Sequence, residues 1–206
     1  LNITVGFSDQ ANVDEQLAVK TKHYNENPDI TLYGTAFSLD GWDNENWANE
    51  VIQQLKTDFD NGAVAVKIWK NIGMEFRDKN GALIVLSDPK FDPIFRFIQS
   101  ENKVLLSHAG EPKNCWLPLD SMTVNNDRNY FKEHPKYHMY LHPDMPSYED
   151  LVEDRDRMLS KHLDLKFVAV HMASLEWNVD RASKFLDRFP NASLDLADSI
   201  SRKETE

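Results

Sequence analysis

The feature that most constrains this sequence is the regular alternation of short apolar runs with amphipathic helical segments. Between the runs, apolar residues recur at helical intervals, as Val51, Leu55 and Phe59 do. Six consecutive strand and helix units predict a parallel sheet, because parallel neighbours need a crossover connection. The apolar runs occupy residues 3–7, 30–37, 62–69, 103–107, 165–170 and 191–197.

Two architectures contain such a sheet, the open doubly wound fold and the (β/α)8 barrel. Dinucleotide-binding open sheets carry a glycine-rich turn after the first strand, whereas Gly6 is followed here by FSD. Two long irregular segments, 71–90 and 109–145, follow predicted strands, where barrel enzymes place their functional loops. We therefore predict an α/β fold of the (β/α)8 TIM-barrel type. A complete barrel needs about 250 residues, so residues 1–206 are expected to form one incomplete barrel domain.

Local signals predict where several elements begin or turn. Ser147 and Asp150 have the spacing of a capping box at a helix start. Asp92, followed by Pro93, has the pattern of an N-cap with a first-turn proline. The sequence DKNG at 78–81 predicts the tight turn of a small hairpin.

Composition narrows the classes of partner. The net charge of −11, from 23 basic and 34 acidic residues, argues against nucleic acid and anionic membranes. The single cysteine, Cys115, excludes an internal disulfide and a cysteine-rich zinc module. No apolar run approaches the roughly 20 residues of a membrane span. A small-molecule substrate is expected, with a cytoplasmic location by default because no targeting segment is visible in 1–206.

Two histidines follow the ends of predicted strands. His108 follows the fourth apolar run and His171 the fifth. Because parallel strands end at the same edge, both imidazoles are expected at one rim, where they can share a divalent metal ion. The alternative is that each is a hydrogen-bonded rim histidine. His134, His138 and His142 have helical spacing, but prolines interrupt it, so we expect loop or surface residues there.

Other polar and aromatic residues fall near the same rim. Lys67 interrupts the apolar run 62–69 and is costly to bury unless paired, so it is a candidate to hold an anion, pair with an acid or be carbamylated. The alternative is a lysine whose stem reaches past the rim. Asp195 reaches the rim if it faces inward, and Glu111 is a candidate proton shuttle or partner of an imidazole. Trp69, Trp116 and Trp177 follow strands and either wall a pocket or pack the interior.

Five segments carry a family resemblance, within about 61–197 and in the family's order and spacing. The sequence resembles the amidohydrolase-related proteins often called amidohydrolase 2, a metal-dependent (β/α)8 branch that also holds decarboxylases. The segments are GAVAVKIWKNIGMEFRDKNGALI, DPKFDPIFRF, VLLSHAGEP, MPSYEDLVEDRDRMLSKHLDLKFVAVHMAS and FLDRFPNASLDLA.

The resemblance implies roles for the rim residues. His108 matches a metal ligand after barrel strand five, and His171 matches a catalytic histidine after strand six that binds the metal or lies beside it and can polarise substrate or water. Lys67 matches a lysine near the site on strand four, and we expect Lys67, Trp69 and Trp177 to contact substrate. By this mapping, the chain holds barrel strands two to seven. The implied cofactor is a divalent metal ion, with zinc as the first candidate.

Two family motifs are missing from the sequence. The family carries a His-X-His pair on strand one and an aspartate after strand eight, and neither is found here. We therefore expect the chain to be truncated at both ends. Open sheet edges favour association, so 206 residues expressed alone are expected to aggregate or form a homo-oligomer.

The resemblance implies a metal-dependent hydrolase. Its substrate is expected to be a small amide, lactone or related compound, attacked by a metal-activated water. His171 is expected to stabilise charge developing on the substrate. Two alternatives remain, which are decarboxylation at the same metal and a non-catalytic barrel used for binding.

Overall fold

The computed structural model describes residues 2–3 and 10–197. Within these ranges, six parallel strands form one sheet whose spatial order is the order of the sequence. This is the order of consecutive strands in a TIM barrel, so the predicted fold class is confirmed, as part of a barrel that the described strands do not close. The strands are β1 (Asn2–Ile3), β2 (Tyr33–Thr35), β3 (Ala65–Ile68), β4 (Val104–Ser107), β5 (Lys166–Ala169) and β6 (Ala192–Leu194).

Helices connect the strands. In the described part of the chain, no helix is long and apolar enough to cross a membrane. The α-helices are α1 (Gln10–Glu26), α2 (Trp47–Asp60), α3 (Asn71–Met74), α4 (Asp92–Ser100), α5 (Asn125–Glu133), α6 (Tyr148–Lys161) and α7 (Val179–Arg188). Single 3-10 turns lie at Pro89–Phe91, Lys113–Trp116, Leu119–Ser121, Pro135–Tyr137, Met139–Leu141 and His171–Ser174.

The strands are shorter than the apolar runs that predict them. The run 30–37 contains only the three residues of β2, yet Phe37 beyond it is buried in the core. Apolar residues therefore continue past the hydrogen-bonded ladder because they pack in the helix-side core, where the Phe37 ring centroid lies 6.1 Å from Trp47 and 6.3 Å from Phe91. Of the predicted strand 3–7, Ile3 lies in β1 and residues 4–7 lie outside the described residues.

The larger core lies between the sheet and the helices. Alternate residues of β3, Val66 and Ile68, join it, as the two-residue period of a strand requires. Its densest part is aromatic: the Trp42 ring centroid lies 4.8 Å from Trp47 and 4.9 Å from Phe91. Trp47 and Phe91 are fully buried. Large aromatic side chains of this kind contribute most to burial energy.

The opposite, inner face of the sheet carries a smaller apolar cluster. Ala65, Leu106 and Val170 form it, with partly buried valines around them. Lys67 and His108 follow Ala65 and Leu106 by two residues, so they continue the same face towards the carboxyl edge. The polar side chains of Lys67 and His108 therefore lie at the carboxyl end of an otherwise apolar inner face.

Local signals near the site are partly confirmed. The Ser147 hydroxyl accepts from the Asp150 amide while the Asp150 carboxylate accepts from the Ser147 amide, which completes the predicted capping box of α6. The predicted helix begins at Asp92 with Pro93 in its first turn, but the cap assignment is wrong, because Asp92 is the first residue of α4 and Phe91 is at the N-cap position. Asp88 is the capping residue instead, accepting from the Lys90 amide at the start of a preceding 3-10 turn.

The irregular segment 71–90 contains the predicted small hairpin. Arg77 and Leu83 form an antiparallel bridge. Inside it, the Asp78 carboxylate accepts from the amides of Asn80 and Ala82, each at 2.9 Å. Gly81 has a φ of 83°, a left-handed value that glycine adopts without steric cost. The turn is therefore closed by its own sequence.

Candidate functional site

The structure brings the two strand-end histidines together. The His108 amide donates to Ile68 of β3, and the Val170 amide donates to Ser107 of β4, each at 3.0 Å. These bonds continue the ladder past both strand ends. The ring centroids of His108 and His171 lie 4.5 Å apart with the rings at 80° to each other. The edge of the sheet therefore presents an imidazole pair.

The His171 ring is oriented by a backbone carbonyl. Its Nδ1 lies 2.7 Å from the carbonyl oxygen of Ala197. Because a carbonyl oxygen only accepts, Nδ1 is the donor, and in the neutral ring Nε2 then carries the lone pair. Metal-binding histidines are commonly held in this way. The tautomer thus leaves Nε2 available to a metal ion or to a substrate proton.

His171 begins an unusual left-handed turn without glycine. The φ angles of His171, Met172, Ala173 and Ser174 are 54°, 52°, 61° and 56°. Left-handed backbone costs roughly 1–2 kcal/mol for each residue with a side chain. Such strain persists only where surrounding contacts hold it, and it is concentrated at functional sites.

Asp195 holds the first half of this turn. Its Oδ1 accepts from the His171 amide at 2.8 Å, and its carbonyl oxygen accepts from the Met172 amide, also at 2.8 Å. The same carboxylate oxygen accepts from the Ala197 amide at 3.2 Å. Asp195 therefore reaches the rim, as predicted for an inward-facing residue, where it organises the backbone around His171.

Lys67 is buried on the inner face of β3. Burial lowers the pKa of its amine to about 8, while the nearby Asp195 carboxylate acts in the opposite direction. Lys67 and Trp69 line one narrow cleft together with Ser38 and Asn71. The structure therefore places Lys67 beside Trp69 in a small cleft, within electrostatic reach of the aspartate that supports His171.

The fit of this site to a metal ion is partial. Among the described residues, no group of three histidine, cysteine, aspartate or glutamate side chains could hold a metal ion. Catalytic zinc sites use three protein ligands. His108 and His171 supply two nitrogen donors of the type that zinc and manganese accept, and the described residues supply no third.

Trp177 and Trp116 pack against α6. The Trp177 Nε1 donates to the Tyr148 hydroxyl at 2.9 Å, and Lys113 Nζ lies 3.5 Å from the Trp177 ring centroid. Trp177 keeps 39% of its surface exposed. Trp116 donates to the Pro146 carbonyl at 3.0 Å. Packing is the observed role of Trp116, while substrate binding by Trp177 stays a prediction.

Glu111 lies three residues after His108 and forms an ion pair with Lys70. The Glu111 side chain is 12% exposed, so the pair is shielded from most solvent. The Lys70 ammonium also lies 5.3 Å from the Trp69 ring centroid. These contacts join the loop after β4 to the loop after β3. A proton-shuttle role for Glu111 stays a prediction.

Three further histidines and the cysteine lie in the irregular segment 109–145. Two 3-10 turns separate His134, His138 and His142, so they do not form one helical face. His138 is buried and its Nε2 lies 2.8 Å from the Leu117 carbonyl. Burial raises the pKa of the Cys115 thiol to about 12, which leaves it protonated and a poor nucleophile.

Comparison with known proteins gives matches among solved structures alone. No protein-family model and no curated protein sequence matches this chain. An uncharacterized TIM-barrel protein from Bordetella bronchiseptica is 15% identical, with a TM-score of 0.51, over 91% of this chain and 50% of that one. A 2,6-dihydroxybenzoate decarboxylase, complexed with 2,6-dihydroxybenzoate, is 15% identical, with a TM-score of 0.56, over 96% and 65%.

Two further solved structures are similar to this chain, and their names indicate different activities. A 5-carboxyvanillate decarboxylase from Novosphingobium aromaticivorans, with bound manganese, is 15% identical, with a TM-score of 0.50, over 92% of this chain and 51% of that one. A structure named amidohydrolase II is 14% identical, with a TM-score of 0.52, over 97% and 64%. This chain spans between 50 and 65% of the length of these four structures. At such low identities the likeness shows a shared TIM-barrel fold.

Proposed function

We propose that His108 and His171 are two ligands of a divalent metal ion in an enzyme built on this barrel. The observation that carries the proposal is the ring separation of 4.5 Å at the carboxyl edge, with the His171 ring oriented by the Ala197 carbonyl. Functional sites of TIM barrels lie at this edge. Imidazole nitrogens suit zinc and manganese alike, and zinc remains the first candidate.

The proposed reaction is hydrolysis of a small amide, lactone or related carbonyl compound. A divalent ion, when bound, lowers the pKa of its water and polarises a carbonyl oxygen. Within this chain, His171 would bind the ion through Nε2, and its catalytic role would be to hold the ion where charge develops on the substrate. Lys67 supplies a cation in the cleft, and Trp69 and Trp177 are the proposed walls for the substrate.

Decarboxylation is the second candidate, and the position of Lys67 favours it. A buried ammonium beside an apolar inner face suits a substrate carboxylate, because the charge attraction is stronger where water is excluded. The similar structure that holds 2,6-dihydroxybenzoate is a decarboxylase, which supports an aromatic carboxylate as the substrate class. Both candidates use the same histidine pair and differ in the bond that breaks.

Metal binding is tested by titrating Zn²⁺ and then Mn²⁺ into the purified chain by isothermal calorimetry. We expect His108→Ala and His171→Ala each to weaken the affinity by more than about 100-fold, since removing a direct ligand costs at least as much as removing its hydrogen-bond partner. His142→Ala is the matched control, because this exposed histidine has its Nε2 on the Pro135 carbonyl. Equal affinity in all three variants would overturn the proposal and favour a non-catalytic barrel.

The bond that breaks is tested separately. Release of carbon dioxide from hydroxybenzoates and release of acid from simple lactones are measured with the metal-loaded protein and with Lys67→Met. Decarboxylation that is lost in the variant supports the second candidate. Lactone hydrolysis by the wild type, with no carbon dioxide released from hydroxybenzoates, supports the first.

A further inference from the structure

The guanidinium of Arg155 lies directly beneath the left-handed turn that carries His171. Arg155 belongs to α6 and is 1% exposed. Its Nη1 donates to the Ala173 carbonyl at 2.7 Å. Its Nε and Nη2 donate to one oxygen of Asp156, at 3.1 and 2.9 Å. The planar group also stacks 4.5 Å from the Phe185 ring centroid, so its orientation is fixed on every side.

Burying the Arg155 charge costs free energy unless the charge is paired. A buried arginine at this position therefore indicates a specific structural role. Burial lowers the pKa of Arg155, and the Asp156 carboxylate acts against that shift. An apolar residue of similar size would avoid the desolvation of the charge. It would also leave the Ala173 carbonyl without the donor that a buried backbone oxygen needs. The branched guanidinium serves both acceptors at once, which an ammonium does less well.

A second donor from α6 holds the next carbonyl of the turn. The Tyr148 hydroxyl donates to Ser174 at 2.5 Å and accepts from the Trp177 indole at 2.9 Å. Burial raises the pKa of Tyr148 to about 12, so the hydroxyl keeps the proton that it donates. The turn is thus held on two sides, by Asp195 at its first two amides and by α6 at its last two carbonyls.

We infer that Arg155 is a positioning residue for His171: its guanidinium holds the left-handed turn that keeps the His171 ring against His108. The consequence for metal binding rests on the proposed function above. The consequence for the ring itself does not, because it concerns only contacts among residues of this chain.

The test is NMR of the imidazole nitrogens in the ¹⁵N-labelled chain, with His171→Gln used to assign the His171 signals. Nitrogen shifts distinguish the protonated from the unprotonated ring nitrogen, so they report the Nδ1 hydrogen bond to Ala197. We expect Arg155→Met to shift the His171 signals and to reduce the population with a protonated Nδ1. Unchanged His171 signals in Arg155→Met would overturn the inference.

Arg188→Met is the matched control. Arg188 also approaches Asp156, at 3.4 Å, and lies 4.9 Å from the Phe189 ring, but it belongs to α7 and is 58% exposed. We expect the His171 signals to stay in place in this variant. An equal shift in Arg188→Met would show that general loss of charge near Asp156 is responsible and would contradict a specific role for Arg155.

Arg155→Lys keeps the inference testable if Arg155→Met does not fold. Lysine retains the positive charge beside Asp156 but lacks the fork that reaches both acceptors, so we expect the same direction of shift at His171. Restoration of wild-type signals by lysine would contradict positioning by the guanidinium. Where Zn²⁺ binds the wild type, both variants should weaken it by about 10- to 100-fold. If the wild type binds no Zn²⁺, the proposed function fails, while the His171 signals still decide the inference.

Discussion

The two faces of the sheet differ in what their side chains do. The helix-facing side buries large aromatic and aliphatic residues such as Trp47, Phe91 and Phe167. The inner side has a small cluster around Leu106 and then turns polar at Lys67 and His108. The first face stabilises the fold through burial of apolar area. The second carries the charge of Lys67 and the strand-end imidazoles, which are polar groups that are costly to bury. The residues that stabilise the fold are therefore different from the candidate site residues.

The largest expected effect lies on the helix-facing side. Trp47→Ala should lower the free energy of unfolding by about 3–5 kcal/mol, because it removes a fully buried aromatic side chain from a packed cluster. Urea denaturation monitored by circular dichroism measures the loss. Trp177→Ala is the control of the same residue type, since Trp177 is 39% exposed, and it should cost less. Equal losses would show that complete burial in the aromatic cluster does not set the contribution of Trp47 to stability.

Lys67 tests the inner face through pH. Its pKa is about 8 in the folded chain and 10.5 by its ordinary value. Between these values the unfolded chain binds more protons at this amine than the folded chain, so stability should rise with pH by about 3 kcal/mol in total. Below pH 8 both states hold the proton and the contribution is flat.

Urea titrations between pH 7.5 and 10.5 measure this slope in the wild type and in Lys67→Met. The difference between the two curves isolates the lysine from other groups that titrate in the range. Lys56→Met serves as the control, because Lys56 is a surface residue paired with Asp60. Parallel curves for the wild type and Lys67→Met would show that Lys67 is not penalised by burial.

The smallest expected effect concerns the helix that supports the His171 turn. Ser147→Ala removes the capping hydroxyl of α6 and should cost about 1 kcal/mol of unfolding free energy. Ser160→Ala, near the other end of α6 and exposed, should stay within about 0.5 kcal/mol of the wild type. Thermal unfolding of both variants measures the difference, and a larger loss at Ser160 would contradict the capping role.

The sequence predicts features that depend on short-range rules. His108 and His171 were expected at one rim because parallel strands end together, and the structure places their rings in contact. Ser147 was identified as a cap because the capping box lies within four residues. The sequence does not assign the cap to the right aspartate, because the same signal, aspartate followed by proline, occurs four residues earlier at Asp88.

Features that depend on tertiary contacts were not predicted. Arg155 lies in the charged sequence EDRDR, which is typical of a solvated helix face, yet its side chain is buried beneath the turn of another element. The left-handed turn at His171 contains no glycine, which is the residue from which a left-handed backbone is usually predicted. Its conformation follows from donors and acceptors on α6 and after β6, and a sequence read locally does not contain that information.

The sheet order also determines when the histidine pair comes into existence. Each strand pairs with the one synthesised just before it. Because His171 follows β5, the His108 ring has this neighbour only when β5 has been made and pairs with β4. The proposed metal site therefore requires synthesis of every strand through β5, whatever the order in which the strands fold.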